Sequence, residues 1–103
     1  MVPAAEFPPS CALDESGQRE QRARYASLAS TVERLRRESD ALIVEFGPGL
    51  DPDRLEEALA VERDCCPFFR FAFDGHERRL TVTVSDADMV PALDAIEHGF
   101  QAA

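Results

Sequence analysis

Apolar positions change their spacing several times along this chain, and each change marks an element. From Gln18 to Ser39 the spacing is helical. Tyr25, Leu28, Val32 and Leu35 fall at i, i+3, i+7 and i+10, one stripe on a long helix whose remaining surface is rich in arginine and glutamate. Ala41-Leu42-Ile43-Val44-Glu45-Phe46 is rich in β-branched residues and closes on Gly47-Pro48-Gly49, so it reads as a strand. Asp51-Pro52 opens a second helix, because Asp is a good cap and proline is favoured at the first helical position. Pro67 ends it by pushing the residue before it out of the α region. Phe68 to Phe73 is a second strand, Asp74-Gly75 a hairpin turn, and Arg79 to Val84 the returning strand. In that strand Leu80, Val82 and Val84 alternate with Arg79, Thr81 and Thr83. Ser85-Asp86-Ala87-Asp88 has the spacing of a capping box and leads into a last helix carrying Met89, Val90, Leu93, Ile96 and Phe100.

The order α-β-α-β-β-α predicts an α+β domain built on a three-stranded mixed sheet. The strands at 41–46 and 68–73 are joined by a helical crossover and are expected to run parallel. The returning strand inserts between them, giving order 2-3-1, a split βαβ that resembles half a ferredoxin-like fold and is covered by helices. Phe69, Phe71 and Phe73 share one face of the second strand, and Phe68 and Ala72 the other. Both faces then need cover, from the first helix or from a second copy of the chain, and the expected state is a homodimer. Residues 1–10 hold three prolines and read as a loose tail. Residues 11–103 read as one domain.

Charge and length narrow the function. A chain of 103 residues with a net charge of −9 is poorly suited to nucleic acid or to an anionic membrane surface, so neither is an expected partner. No apolar run approaches the roughly 18 residues of a membrane-spanning helix. The first ten residues lack the basic and apolar regions of a secretory signal. The expectation is a cytoplasmic protein, in which cysteines stay reduced and serve metal or redox chemistry rather than structural disulfides.

The candidate chemistry is concentrated in Glu62-Arg63-Asp64-Cys65-Cys66-Pro67-Phe68-Phe69. Two adjacent cysteines sit where the second helix ends, and the only other cysteine is Cys11. On the helical wheel Leu55, Leu59, Glu62 and Cys66 share a stripe, which places a carboxylate among core positions one turn from the thiols. An ionised Glu there is costly unless paired, and a purely structural reading gives it an arginine such as Arg70. The negative end of the helix dipole disfavours a thiolate. That counts against a pre-activated nucleophile and less against a metal site, because a metal deprotonates its own ligands.

Adjacent helical residues diverge by about 100°, so both thiols reach one ion only where the helix unwinds, as Pro67 allows. Cys11 is the one remaining thiol able to act as third ligand. Three thiolates suit Hg(II) or As(III), whereas structural zinc usually takes four ligands in spaced pairs. Cys11, Cys65 and Cys66 are thus the expected ligands of a soft ion (Hg, As or Zn), with Glu62 accepting a thiol proton or orienting the ligands. Two other readings stay open. One is a thiol enzyme or redox switch with Cys65 or Cys66 as nucleophile and Glu62 as base. The other is a small interaction module whose cysteines are simply buried. His76 and His98 read as surface residues. No phosphate loop or hydrolase motif is present, and no organic cofactor is expected.

These residues also resemble a group of small bacterial proteins with an early Cys-x-Leu, an Arg-rich helix and a Glu-x-x-Cys-Cys-Pro-Phe motif. Cys11-Ala12-Leu13 and Glu62 to Phe68 carry the likeness, which spans roughly residues 11–100. Some of those proteins accompany mercury or other metal-resistance functions. The resemblance implies that Cys11, Glu62, Cys65 and Cys66 form the functional set.

Overall fold

The computed structural model describes residues 14–101. The tail read over residues 1–10 and the segment Cys11-Ala12-Leu13 lie outside them. The elements are α1 (Glu15–Ala29), β1 (Val32–Arg37), β2 (Ala41–Phe46), α2 (Pro52–Cys65), β3 (Phe69–Asp74), β4 (Arg79–Val84), a 3-10 segment (Ala87–Ala92) and α3 (Leu93–Phe100). Asp14 caps α1 by accepting from the Gly17 N–H at 2.7 Å, and Asp51 caps α2 by accepting from the Asp53 N–H at 3.0 Å.

The expected three-stranded mixed sheet is corrected to a four-stranded antiparallel one, with strands in the order β1-β2-β4-β3. Each neighbouring pair runs antiparallel. β4 lies between β2 and β3, so those two strands run in the same direction but are not hydrogen-bonded to each other. The fourth strand comes from residues 32–37, which the helical spacing had assigned to the first helix.

That helix stops at Ala29. The Ser30 hydroxyl donates to the Ser27 carbonyl and the Thr31 hydroxyl to the Leu28 carbonyl, so local side chains occupy carbonyls that a longer helix would have used. The spacing of Val32 and Leu35 misled because β1 carries a bulge. Val32 pairs with Phe46 and Arg34 with Glu45, which skips Glu33. One extra residue restores Val32 and Leu35 to the same face, so an i, i+3 pair fits a strand as well as a helix.

The three helices pack on one face of the sheet. Leu42, Val44 and Phe46 of β2, Leu80 and Val82 of β4 and Phe69 of β3 meet Tyr25 and Leu28 of α1, Leu55, Ala58 and Leu59 of α2, and Leu93, Ile96 and Phe100 of α3 in one core. Each large side chain buried this way contributes on the order of 1.5–3 kcal/mol. The register puts Arg34, Glu45, Arg79 and Asp74 in one row on the opposite face, and Arg36, Ile43, Thr81 and Ala72 in the next. An antiparallel sheet tolerates such a polar face toward water. Phe68 precedes β3 rather than sharing its far face, and packs against Phe69 with ring centroids 4.6 Å apart.

α1 and α2 run antiparallel. Ser27 meets Arg54, Arg24 meets Glu57, and Gln21 meets Ala58 and Glu62. Moving toward the start of α1 therefore moves toward the end of α2.

Candidate metal centre

The end of α2 determines how the thiols are aimed. Cys65 is its last residue. Cys66 caps it with φ −134° and ψ 74°, its N–H still donating to the Glu62 carbonyl at 2.7 Å. Pro67 cannot continue the helix, and the Phe69 N–H turns back to the Cys66 carbonyl at 3.1 Å. The extended backbone at Cys66 re-aims its side chain, and the two Sγ atoms come to 3.5 Å. That is well beyond the ~2.05 Å of a disulfide bond and much closer than two diverging helical side chains. Cys66 is fully buried and Cys65 is 7% exposed.

Glu62 lies one turn earlier on the core stripe and is 1% exposed. Its Oε1 accepts from Gln21 Nε2 at 3.1 Å and from the Tyr25 hydroxyl at 3.1 Å. Gln21 Nε2 also donates to the Ala58 carbonyl at 2.8 Å, and Gln21 Oε1 accepts from Arg24 Nη1 at 3.0 Å. Glu62 Oε2 has no hydrogen bond of good geometry, although the Cys66 thiol lies near enough to favour its charge. Arg70, the partner of the structural reading, is exposed on β3, and neutral side chains hold the carboxylate instead.

Burial raises the Glu62 carboxyl above its ordinary value, against the lowering effect of Gln21, Tyr25 and Cys66. Burial likewise raises the Tyr25 phenol well above its ordinary value, with the charge and hydrogen bond of Glu62 adding to it. Tyr25 therefore remains a proton donor to Glu62.

Glu62, Cys65 and Cys66 together place one carboxylate oxygen and two sulfurs within 4.8 Å of one another, all three residues buried. This group can hold a metal ion, and two thiolates with a carboxylate are a donor set of thiophilic character. The helix terminus turns its negative end toward the sulfurs, so cationic charge at the site would have to be brought by a ligand. Arg63 is exposed, bonded to Glu56 at 2.6 Å and stacked over the Phe71 ring. His76 and His98 are both exposed, His76 in the turn after β3 and His98 on α3. Cys11 lies outside the described residues.

Sequence reasoning missed Gln21 altogether and took Tyr25 for a core residue alone. Gln21, Tyr25 and Leu28 stand at i, i+4 and i+7, so a polar residue on the apolar stripe of α1 was the available signal.

Fold and site define an α+β protein with a buried dithiol–carboxylate cluster at the junction of a helix and an edge strand. No protein-family model matches the chain, and no curated protein or solved structure does either. Among the described residues no helix is long and apolar enough to cross a membrane.

Proposed function

We propose that this protein binds a thiophilic metal or metalloid ion through Cys65 and Cys66, with Cys11 as third thiolate, and acts in the resistance to, sensing of or delivery of that ion in the cytoplasm. The observation that carries the reading is the pair of buried sulfurs 3.5 Å apart beside a carboxylate whose Oε2 is buried and unpartnered. Binding an ion releases the thiol protons, and Glu62 is the base within reach. Cys11 is three residues before Asp14, a stretch that spans at most about 10 Å, and α1 begins at the cysteine end of α2. The likeness to bacterial proteins that accompany mercury or other metal resistance supports the same site. The position at a helix C-terminus counts against the alternative of a pre-activated nucleophile.

The test is native mass spectrometry of the reduced chain, titrated anaerobically with Hg(II), As(III) and Zn(II), with thiol alkylation before and after. One ion per chain with all three thiols protected is the expected result, and Cys65→Ser and Cys66→Ser each abolish the adduct. No stable adduct, with one thiol alkylating far faster than the rest, overturns the reading in favour of a nucleophilic or redox cysteine.

A further inference from the structure

Resting on the reading that Cys65 and Cys66 hold an ion, we infer that Glu62 is itself a ligand, through Oε2, and that the site is shaped for a divalent cation taking thiolate and carboxylate donors at bent angles, the class of zinc, cadmium and cobalt.

The sulfur spacing is the first ground. A metal–thiolate bond of about 2.3 Å sets two tetrahedral sulfurs roughly 3.8 Å apart and two linear ones roughly 4.6 Å apart. The observed 3.5 Å is close to the tetrahedral value and far from the linear one that two-coordinate mercury takes. The pair cannot spread freely. Cys66 is fully buried and its N–H is tied to the Glu62 carbonyl, so spreading the sulfurs to the linear distance requires side chains to turn within a packed interior.

The carboxylate is the second ground. Oε1 is held on two sides by Gln21 and Tyr25, which leaves the other oxygen buried without a hydrogen bond of good geometry, near the Cys66 thiol. A Glu62 carboxylate oxygen lies within 4.8 Å of both sulfurs, and Oε2 is the one that no hydrogen bond of good geometry engages. A carboxylate beside thiolates suits a borderline cation of the zinc kind, whereas arsenic(III) and mercury(II) draw little from oxygen when thiolate is present. Gln21 and Tyr25 then act as positioning residues for the ligand, the role outer hydrogen bonds play around metal-binding carboxylates. Two thiolates and a carboxylate make three negative charges, which a dication largely neutralises where no arginine among the described residues bonds to Glu62.

Cobalt(II) alone is the probe. The full reduced chain is titrated anaerobically, and the visible bands that report tetrahedral geometry are followed together with the thiolate charge-transfer bands. The expected result is a tetrahedral spectrum at one equivalent that zinc(II) displaces. Glu62→Gln is expected to weaken cobalt(II) and zinc(II) at least tenfold while arsenic(III) and mercury(II) uptake stays within about twofold, and Tyr25→Phe to weaken cobalt(II) several-fold, in the range of such outer partners. Circular dichroism checks that both variants fold. Cobalt(II) affinity unchanged in Glu62→Gln and Tyr25→Phe, with Cys65 and Cys66 still required, overturns Glu62 as a ligand and leaves the thiol site standing. Failure of all four ions to bind through Cys65 and Cys66 removes the reading beneath it as well.

Discussion

Arg37 and Glu62 are both charged side chains turned toward the core side of the sheet, and the fold treats them in opposite ways. Arg37 ends β1, where Nη1 reaches Asp94 Oδ1 at 2.6 Å and Glu97 Oε1 at 3.0 Å on α3. Its Nε is left unpartnered, but two carboxylates neutralise its charge. Burial alone would lower its pKa, and the bonds to Asp94 and Glu97 outweigh that and leave it raised. Glu62 is more deeply buried and, among the described residues, is given two neutral donors and no cation. Where a charge serves to fasten a helix, the counter-charge is supplied from within the chain. At Glu62 it is withheld. A buried charge without a counter-ion is a poor stabiliser, and functional sites are where such buried, perturbed groups cluster.

The contrast is sharpest in the cost of removing partners, measured by urea unfolding at pH 7 with a chelator present. Gln21→Leu deprives a buried carboxylate of one of its two donors and is expected to destabilise by about 2–3 kcal/mol. Arg37→Met removes a partly solvated ion pair in which Nη1 meets both Asp94 and Glu97, and is expected to cost about 1–2 kcal/mol, shrinking in high salt. A larger loss at Arg37 than at Gln21 would break the comparison.

The parts that were legible in sequence are those set by neighbours in the chain. Asp51-Pro52 starts α2, Pro67 follows its end, and Asp74-Gly75 joins β3 to β4, because capping and turn chemistry act over three or four residues. The helical wheel of α2 likewise places Glu62 over the cysteines without any knowledge of the fold. β1 was not legible, since a bulged strand and a helix give the same spacing of Val32 and Leu35, and the missing strand changed the whole sheet. Nor were the partners of Glu62. Gln21 and Tyr25 reach it across 41 and 37 residues of chain, and only the packing of α1 on α2 brings them there.

Acidity offers a test of sign. Burial holds the Glu62 carboxyl above its ordinary value of 4.5, so the folded chain keeps this proton to higher pH than the unfolded chain does. The stability that the neutral acid contributes is complete below the unfolded value and is lost as pH rises through the folded one. Each unit of displacement is worth about 1.4 kcal/mol. Glu62→Gln is expected to match the parent chain at the acid end and to be the more stable of the two above it, in unfolding midpoints taken across that window. A variant that falls behind as pH rises would show the carboxylate to be a stabilising charge like Arg37, and the two sites would no longer differ in kind.

The smallest effect is expected on the open face of the sheet. Arg36 Nε stands 3.3 Å from Glu38 Oε2, and both side chains are 53% exposed. Water screens such a pair and ordering two long side chains opposes it, so Arg36→Gln should cost less than about 0.5 kcal/mol. Arg36 and Arg37 are neighbours in one strand and face opposite sides of the sheet, which makes them a control for strand propensity and net charge alike. Equal losses at the two positions in urea unfolding would mean that the Asp94–Glu97 clasp contributes nothing beyond a surface arginine. A difference of about 1 kcal/mol would place the value of Arg37 in its half-buried contacts, the same source from which Gln21 and Tyr25 draw their hold on Glu62.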